Sequence, residues 1–318
     1  MDIVLTGSVA YDYLMSFPGL FKDYLLPDQL EKVSLSFLVD SMVRRRGGIA
    51  PNIAYTLALL GGRPRIMATV GEDFSDYQAI LEQVGVDTSL IRFIPKVFTA
   101  SFFCNTDQSN AQIASFYPGA MDFAGQLSFH DLEQKPDLVL ISPNAPNAMV
   151  KYPQECQELG IPYLYDPSQQ IPRMQAQELR AGVLGAYALM VNDYEYELIK
   201  KLTGLSEQEI LAGRHFTVIT RGKDGASIYT GGQEYHTPVV PPNQIVDPTG
   251  VGDAFRGGFL TGLAHGLSWE ICGKMGALAA TYCLEAMGTQ EHHYTPEEFV
   301  ARYCTHFEDG EALEILVS

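Results

Sequence analysis

The sequence predicts an α/β fold with a mostly parallel central sheet, and three observations predict it. Short apolar, β-branched runs alternate with amphipathic stretches as far as Thr220. Two polar and aromatic stretches interrupt that alternation, and beyond residue 250 the pattern is helical.

In chain order, Ile3-Val4-Leu5 reads as the first strand, residues 52–60 as a helix, 66–70 as a strand and 73–84 as a helix. Strands follow at 138–142, 163–165, 188–191 and 217–220, with a helix starting at Asp193. Met190 and Phe216 read as core. The interruptions cover residues 13–46 and 97–117. Within the second, residues 100–104 and 112–116 flank the polar Thr106-Asp107-Gln108-Ser109-Asn110, which predicts a hairpin in a small β lid. The core of the chain is then 1–12, 47–96 and 118–318.

Composition narrows the function classes. The 318 residues are 46% hydrophobic and 19% charged, the range of a folded globular chain. A net charge of −17 repels polyanions, which disfavours non-specific nucleic-acid or anionic-membrane binding. A phosphate-bearing substrate then needs a local anion site built from backbone amides, a helix start or a cation. The first residues lack a basic n-region, no apolar run approaches spanning length, and the five cysteines lack Cys-x-x-Cys spacing. A cytoplasmic location is expected. The histidines show no metal-ligand spacing.

The strongest motif is Asp247-Pro248-Thr249-Gly250-Val251-Gly252-Asp253-Ala254-Phe255, followed by an apolar helix pattern through Phe259, Leu260 and Leu263. Glycines just before a helix let bare amides face an anion, and the helix dipole adds partial positive charge there. Asp253 falls in the first turn, where a carboxylate can take a hydroxyl proton beside those amides. On local features alone, an N-capping Asp after a glycine turn is an equal alternative.

The nine-residue string resembles signature two of the ribokinase-like, PfkB-type carbohydrate kinases, usually Asp-Thr-x-Gly-Ala-Gly-Asp-x-Phe, from which Pro248 and Val251 depart. The resemblance implies a ribokinase-like three-layer fold, Asp253 as general base, and Gly250, Val251 and Gly252 as anion-hole amides. Arg46-Gly47-Gly48-Ile49-Ala50-Pro51-Asn52 resembles signature one and assigns Gly48 and Asn52 to substrate hydroxyls; a plain glycine turn is the alternative. Asp12, after Gly7-Ser8-Val9-Ala10-Tyr11, matches the family's ribose-binding Asp, although an isolated loop Asp is more often simply solvated.

Asn192-Asp193-Tyr194-Glu195 matches the family's Asn-x-x-Glu motif and implies Asn192 beside nucleotide phosphates and Glu195 beside magnesium; a helix cap is the alternative. Thr220-Arg221-Gly222-Lys223-Asp224-Gly225 resembles the glycine turn near ATP, with Thr220, Gly222 and Gly225 as nucleotide contacts. Arg221 suits phosphate and solvent equally. By the same resemblance the cofactors are ATP and Mg2+, with Asp247 and Thr249 at a site for a monovalent cation, K+, whose requirement stays open.

Further stretches, among them Ser34-Leu35-Ser36-Phe37, Gln112-Ile113-Ala114-Ser115-Phe116, Asp166-Pro167-Ser168-Gln169-Gln170 and Gly288-Thr289-Gln290-Glu291, resemble the mycobacterial-type bacterial adenosine kinases. That likeness carries Ser8, Asp12, Ser36, Gly48 and Asn52 to ribose and base binding. Phe102 and Phe116 suit a sandwich around a flat base, or else a small lid core, and Gln169 and Gln170 offer amide pairs for an adenine edge. The reading is adenosine phosphorylation at the 5′-hydroxyl, with a homodimer through the lid. A free sugar or another nucleoside as acceptor, or a silent nucleoside-binding protein, are the alternatives. No Gly-x-Gly-x-x-Gly follows the first strand, which disfavours a dinucleotide oxidoreductase.

Overall fold

The computed structural model describes residues 1–25, 31, 32 and 34–317; positions 26–30 and 33 of the expected lid range lie outside them. An eight-stranded sheet forms the centre. Its parallel members are β1 (Ile3–Thr6), β4 (Arg65–Met67), β9 (Leu138–Ile141), β10 (Tyr163–Tyr165), β11 (Ala188–Asn192) and β12 (Phe216–Thr220). An antiparallel hairpin of β13 (Ala226–Thr230) and β14 (Gln233–Thr237) extends the edge beyond β12, a feature the βα alternation does not announce. The stretch expected as one strand at 66–70 divides at Ala68: β5 (Thr69–Val70) leaves the main sheet to pair with β6 (Arg92–Phe93).

Residues of the parallel strands β1, β9, β10 and β11 are buried on both faces. Leu140, Leu164 and Met190 point to one layer, and Val139, Tyr165 and Val191 to the other. The first layer packs against α1 (Ile49–Leu59), α2 (Ser75–Gln83), α7 (Val251–Ala264), α8 (Trp269–Leu284) and α9 (Pro296–His306). The second packs against α3 (Pro146–Leu159), α4 (Ala176–Gly185), α5 (Asp193–Thr203) and the short α6 (Glu207–Leu211). Helices on both faces of a parallel sheet make the three-layer arrangement, with Met190 and Phe216 fully buried.

A separate four-stranded sheet has the order β3-β2-β7-β8: β2 (Ala10–Ser16), β3 (Ser41–Gly47), β7 (Ala100–Thr106) and β8 (Gln112–Tyr117). It takes in residues 10–12 and Gly47, which the sequence pattern places with the core, because only three residues separate the end of β1 from the start of β2. Between this sheet and the carboxyl ends of the parallel strands lies a cavity of about 1100 Å³. Crevices at that edge are where open α/β sheets take ligands.

Candidate active site

Three helices begin at the cavity. Helix α7 is preceded by Gly250 at φ 77°, where an added Cβ would meet Thr289 Cγ2 at 2.7 Å. Its first intrahelical bond is Ala254 N to Gly250 O at 2.9 Å, so the amides of Val251, Gly252 and Asp253 stand ahead of the ladder. Helix α1 is preceded by Gly48 at φ 96°, whose Cβ would lie 2.5 Å from Ser8 O; a side chain there has no room. Pro51 is tolerated because it falls in the first turn, and the helix starts three residues before the expected position. Ser8 Oγ accepts from Ile49 N at 3.3 Å. Helix α5 begins at the cavity with Asn192 as its cap. Helix starts concentrate unpaired amides and partial positive charge, the provision a chain of −17 needs to receive an anion.

Asp253 borders the cavity and accepts from Asn52 Nδ2 at 2.9 Å. Burial raises its pKa to about 6, against the opposing pull of Arg256 and the Asn52 hydrogen bond, with Glu195 adding to the rise. A carboxylate poised there is ionised at neutral pH yet basic enough to take a hydroxyl proton.

Two residues outside the expected site set complete this floor. Arg256, one turn after Asp253, lies 2.7 Å (Nε to Oδ2) and 2.8 Å (Nη2 to Oδ1) from the Asp166 carboxylate, and its Nη1 donates to Gly252 O at 2.9 Å. Both are nearly inaccessible, at 6% and 1% exposure. Burial alone would lower the Arg256 guanidinium, but Asp166, Asp253 and Glu195 outweigh it and keep the arginine charged. The sequence hints at them only through a lone Arg inside an otherwise apolar helix and the Asp166-Pro167-Ser168-Gln169-Gln170 stretch.

On the second sheet, register puts matching side chains in rows facing the cavity. Beyond Ala10, Arg45, Asp12, Phe102 and Phe116 form the first row; Val43, Leu14 and Cys104 form the next; Ser41, Ser16, Thr106 and Gln112 form the third. Phe102 and Phe116 are cross-strand neighbours on one face of this sheet. They offer one apolar platform, not two opposed walls. Asp12 sits against Gly47, where an added Cβ would be 2.8 Å from its Oδ2. Burial raises Asp12 to about 6, with Arg45 opposing and Asp247 adding.

The remaining expected residues divide. Asp247, Thr249, Gly252, Asn192, Glu195, Thr220 and Gln169 border the cavity. Asp247 is already engaged, accepting from Thr249 N at 2.9 Å and pairing with Arg45 at 3.3 Å. Asn192 and Glu195 form a reciprocal capping box, and Glu195 Oε1 also accepts from Ser168 Oγ at 2.9 Å. Val251, Gly222 and Gly225 do not line the cavity. Ser36 is exposed and outside it. Gln170 is buried and turned away, donating to Asn144 O at 2.8 Å, so only Gln169 of the pair reaches the cavity. Arg221 donates to Tyr229 OH at 3.2 Å and to Ser227, which anchors it on the edge hairpin away from the cavity.

Residues 9–296 match the pfkB family of carbohydrate kinases. The chain belongs to that family. Among solved structures, the nucleoside kinase of Burkholderia thailandensis in complex with inosine superposes on this pfkB-family chain with a TM-score of 0.86 and 35% identity, covering 96% of this chain and 99% of that one. The nucleoside kinase of Methanocaldococcus jannaschii, an archaeal member of the ribokinase family, has a TM-score of 0.86 at 26% identity, covering 96% and 99%. A cytidine kinase of Thermococcus kodakarensis is 26% identical over 91% of this chain and 98% of its own length. The fold of this pfkB-family kinase is therefore ribokinase-like. The relatives above are nucleoside and cytidine kinases, so the narrower adenosine-kinase likeness rests on sequence motifs alone.

Proposed function

We propose that the chain transfers the γ-phosphoryl group of ATP to the 5′-hydroxyl of a nucleoside, with adenosine as acceptor and AMP as product. The observation that carries this reading is Asp253 in the first turn of α7, facing the same cavity as the Asp12 and phenylalanine row. In the reaction the 5′-oxygen attacks the γ-phosphorus while Asp253 takes its proton. The bond from that phosphorus to the bridging oxygen breaks, and ADP leaves. The amides at the start of α7 hold the transferred group, with Arg256 bracing the Gly252 carbonyl beneath them.

Asp12 accepts ribose hydroxyls, the Phe102 and Phe116 platform takes one face of the base, and the third row meets its polar edge. Ser8, Gly48 and Asn52 complete the sugar side, and Thr220 and Asn192 the nucleotide side. The second sheet then acts as a lid that excludes water. Five carboxylates border the cavity, namely Asp12, Asp166, Glu195, Asp247 and Asp253, and no group of three able to hold a metal occurs among the described residues. That donor set fits a magnesium ion whose oxygen ligands would come mainly from phosphate and water, and Glu195 is the residue that would hold it. When bound, such an ion neutralises phosphate charge.

Inosine is favoured as a second acceptor by the Burkholderia complex, and its enzyme is also solved with ADP-inosine. The outer edge of β8 is exposed along its length and suits pairing with a second copy, which makes the homodimer part of this proposal. An ATP-dependent phosphorylation screen over adenosine, inosine, guanosine, cytidine, ribose and fructose tests the function. Preference for a nucleoside supports it. Preference for a free sugar, or no turnover with any acceptor, refutes it.

A further inference from the structure

We infer that Gln290 and Tyr77 are positioning residues: through a directed hydrogen-bond chain they fix the amide of Asn52, and thereby the geometry of Asp253. The inference rests on Asp253 being the base. The chain starts at the glycine turn before α1. Tyr77 OH donates to Gly47 O at 3.0 Å, which leaves its oxygen as an acceptor. Gln290 Nε2 donates to that oxygen and to Asn52 Oδ1, the latter at 2.8 Å. With Oδ1 taken by a donor, Asn52 must turn its Nδ2 to Asp253, where it lies 2.9 Å from Oδ2.

Each link has a fixed direction. Reversing either amide would set two acceptors or two donors against each other, with buried groups left unpaired. Tyr77, Gln290 and Asn52 are 0%, 3% and 5% exposed, so water cannot repair a reversed link. Gln290 Oε1 has no partner among the described residues. A buried acceptor left bare is a cost, and here it accompanies the placing of both amide hydrogens on the chain to the base.

The consequence is local. Asn52 occupies Oδ2 of Asp253, which leaves Oδ1 to receive the acceptor hydroxyl. Its donation also opposes the burial that disfavours the charged carboxylate. The other groups facing Asp253 are Arg256 on its own helix, Glu195 on α5, Asp166 after β10, and Cys283 on α8, a thiol that burial pushes up to about 12. The donors among them are engaged elsewhere, Arg256 with Gly252 O and Asp166, and Cys283 Sγ with Thr249 O.

The test is a double-mutant cycle on kcat/KM for adenosine with MgATP, measured across pH. Gln290→Met should lower kcat/KM by about 10–100-fold and move the acid limb of the profile to higher pH, the size typical of a misplaced proton-transfer group. In an Asn52→Ala background the same change should add less than about twofold, because its route to Asp253 is already cut. Equal losses in both backgrounds, or an unmoved acid limb, overturn the inference. Tyr77→Phe removes one hydroxyl and serves if Gln290→Met does not fold. It should shift the limb in the same direction, and an unchanged profile overturns the relay. Asp253→Asn with near-normal turnover would overturn the base reading itself, whereas an inactive Asp253→Asn with additive losses removes only the relay.

Discussion

The side-chain amide of Asn52 donates to the carboxylate of Asp253 at 2.9 Å, joining the first turns of two helices across 201 residues of chain. Both helices, α1 and α7, follow a glycine at positive φ, and they pack on one another. Two helix starts therefore meet at one carboxylate. Their dipoles favour its ionised form, while burial opposes it.

That balance sets a pH dependence. Asp253 and Asp12 are both raised to about 6, and the proposed reaction needs both ionised. Acceptor kcat/KM should therefore be flat above that value and fall below it with a slope approaching two in log units. Asp12→Asn should reduce the slope to one and raise the acceptor KM about 10–100-fold, as expected for a charged hydrogen-bond acceptor lost from a binding site. A pH–rate series on both proteins reads this directly.

The same raised pKa has a stability counterpart. A carboxyl group raised on folding binds its proton more tightly in the folded than in the unfolded state. Its ionisation therefore costs stability, fully above the folded value of about 6 and not at all below the ordinary value of 3.8. Asp253→Asn should raise the melting temperature at pH 7.5, by about 2 °C for each kcal/mol recovered. The gain should vanish near pH 4. Thermal melts at the two pH values compare them.

Arg256 and Asp166 make a buried ion pair. Arg256→Met should destabilise by about 3–5 kcal/mol, because it leaves an unpaired carboxylate in the interior. Adding Asp166→Leu to that variant should recover much of the loss, since the uncompensated charge is gone. Urea unfolding of the single and double variants measures both steps.

The rows on the second sheet predict how acceptors are told apart. Phe116→Ala should weaken nucleoside binding more than ribose binding, by about tenfold, because only the nucleoside has a base to lay on that platform. Gln112→Leu with Thr106→Val should likewise act on nucleosides and leave ribose unchanged. Equal losses for nucleoside and ribose, measured as competition against adenosine turnover, would remove the base from this surface.

How far the sequence reaches can be read from particular residues. The strand and helix order follows from apolar periodicity. The starts of α1 and α7 follow from glycine pairs, because positive φ and close backbone approach are glycine's own signals. Partners far apart in the chain leave no such trace: Asp166 and Arg256 are 90 residues apart, and Gln290 and Asn52 are 238 apart. Side-chain direction leaves no trace either. The pairing Gln169-Gln170 reads as two amides facing one ligand, yet Gln170, within a short 3₁₀ segment, turns to the backbone carbonyl of Asn144. Motif position points Ser36 to the site, but its loop leaves it exposed.

The most direct test of the account is the steady-state rate of Asp253→Asn against the unmodified protein, with adenosine and MgATP and the product assayed as the 5′-monophosphate. The account predicts a kcat lower by about 10³–10⁴-fold with the adenosine KM little changed, since the base acts in the transition state. A kcat within about tenfold of the unmodified protein would contradict it.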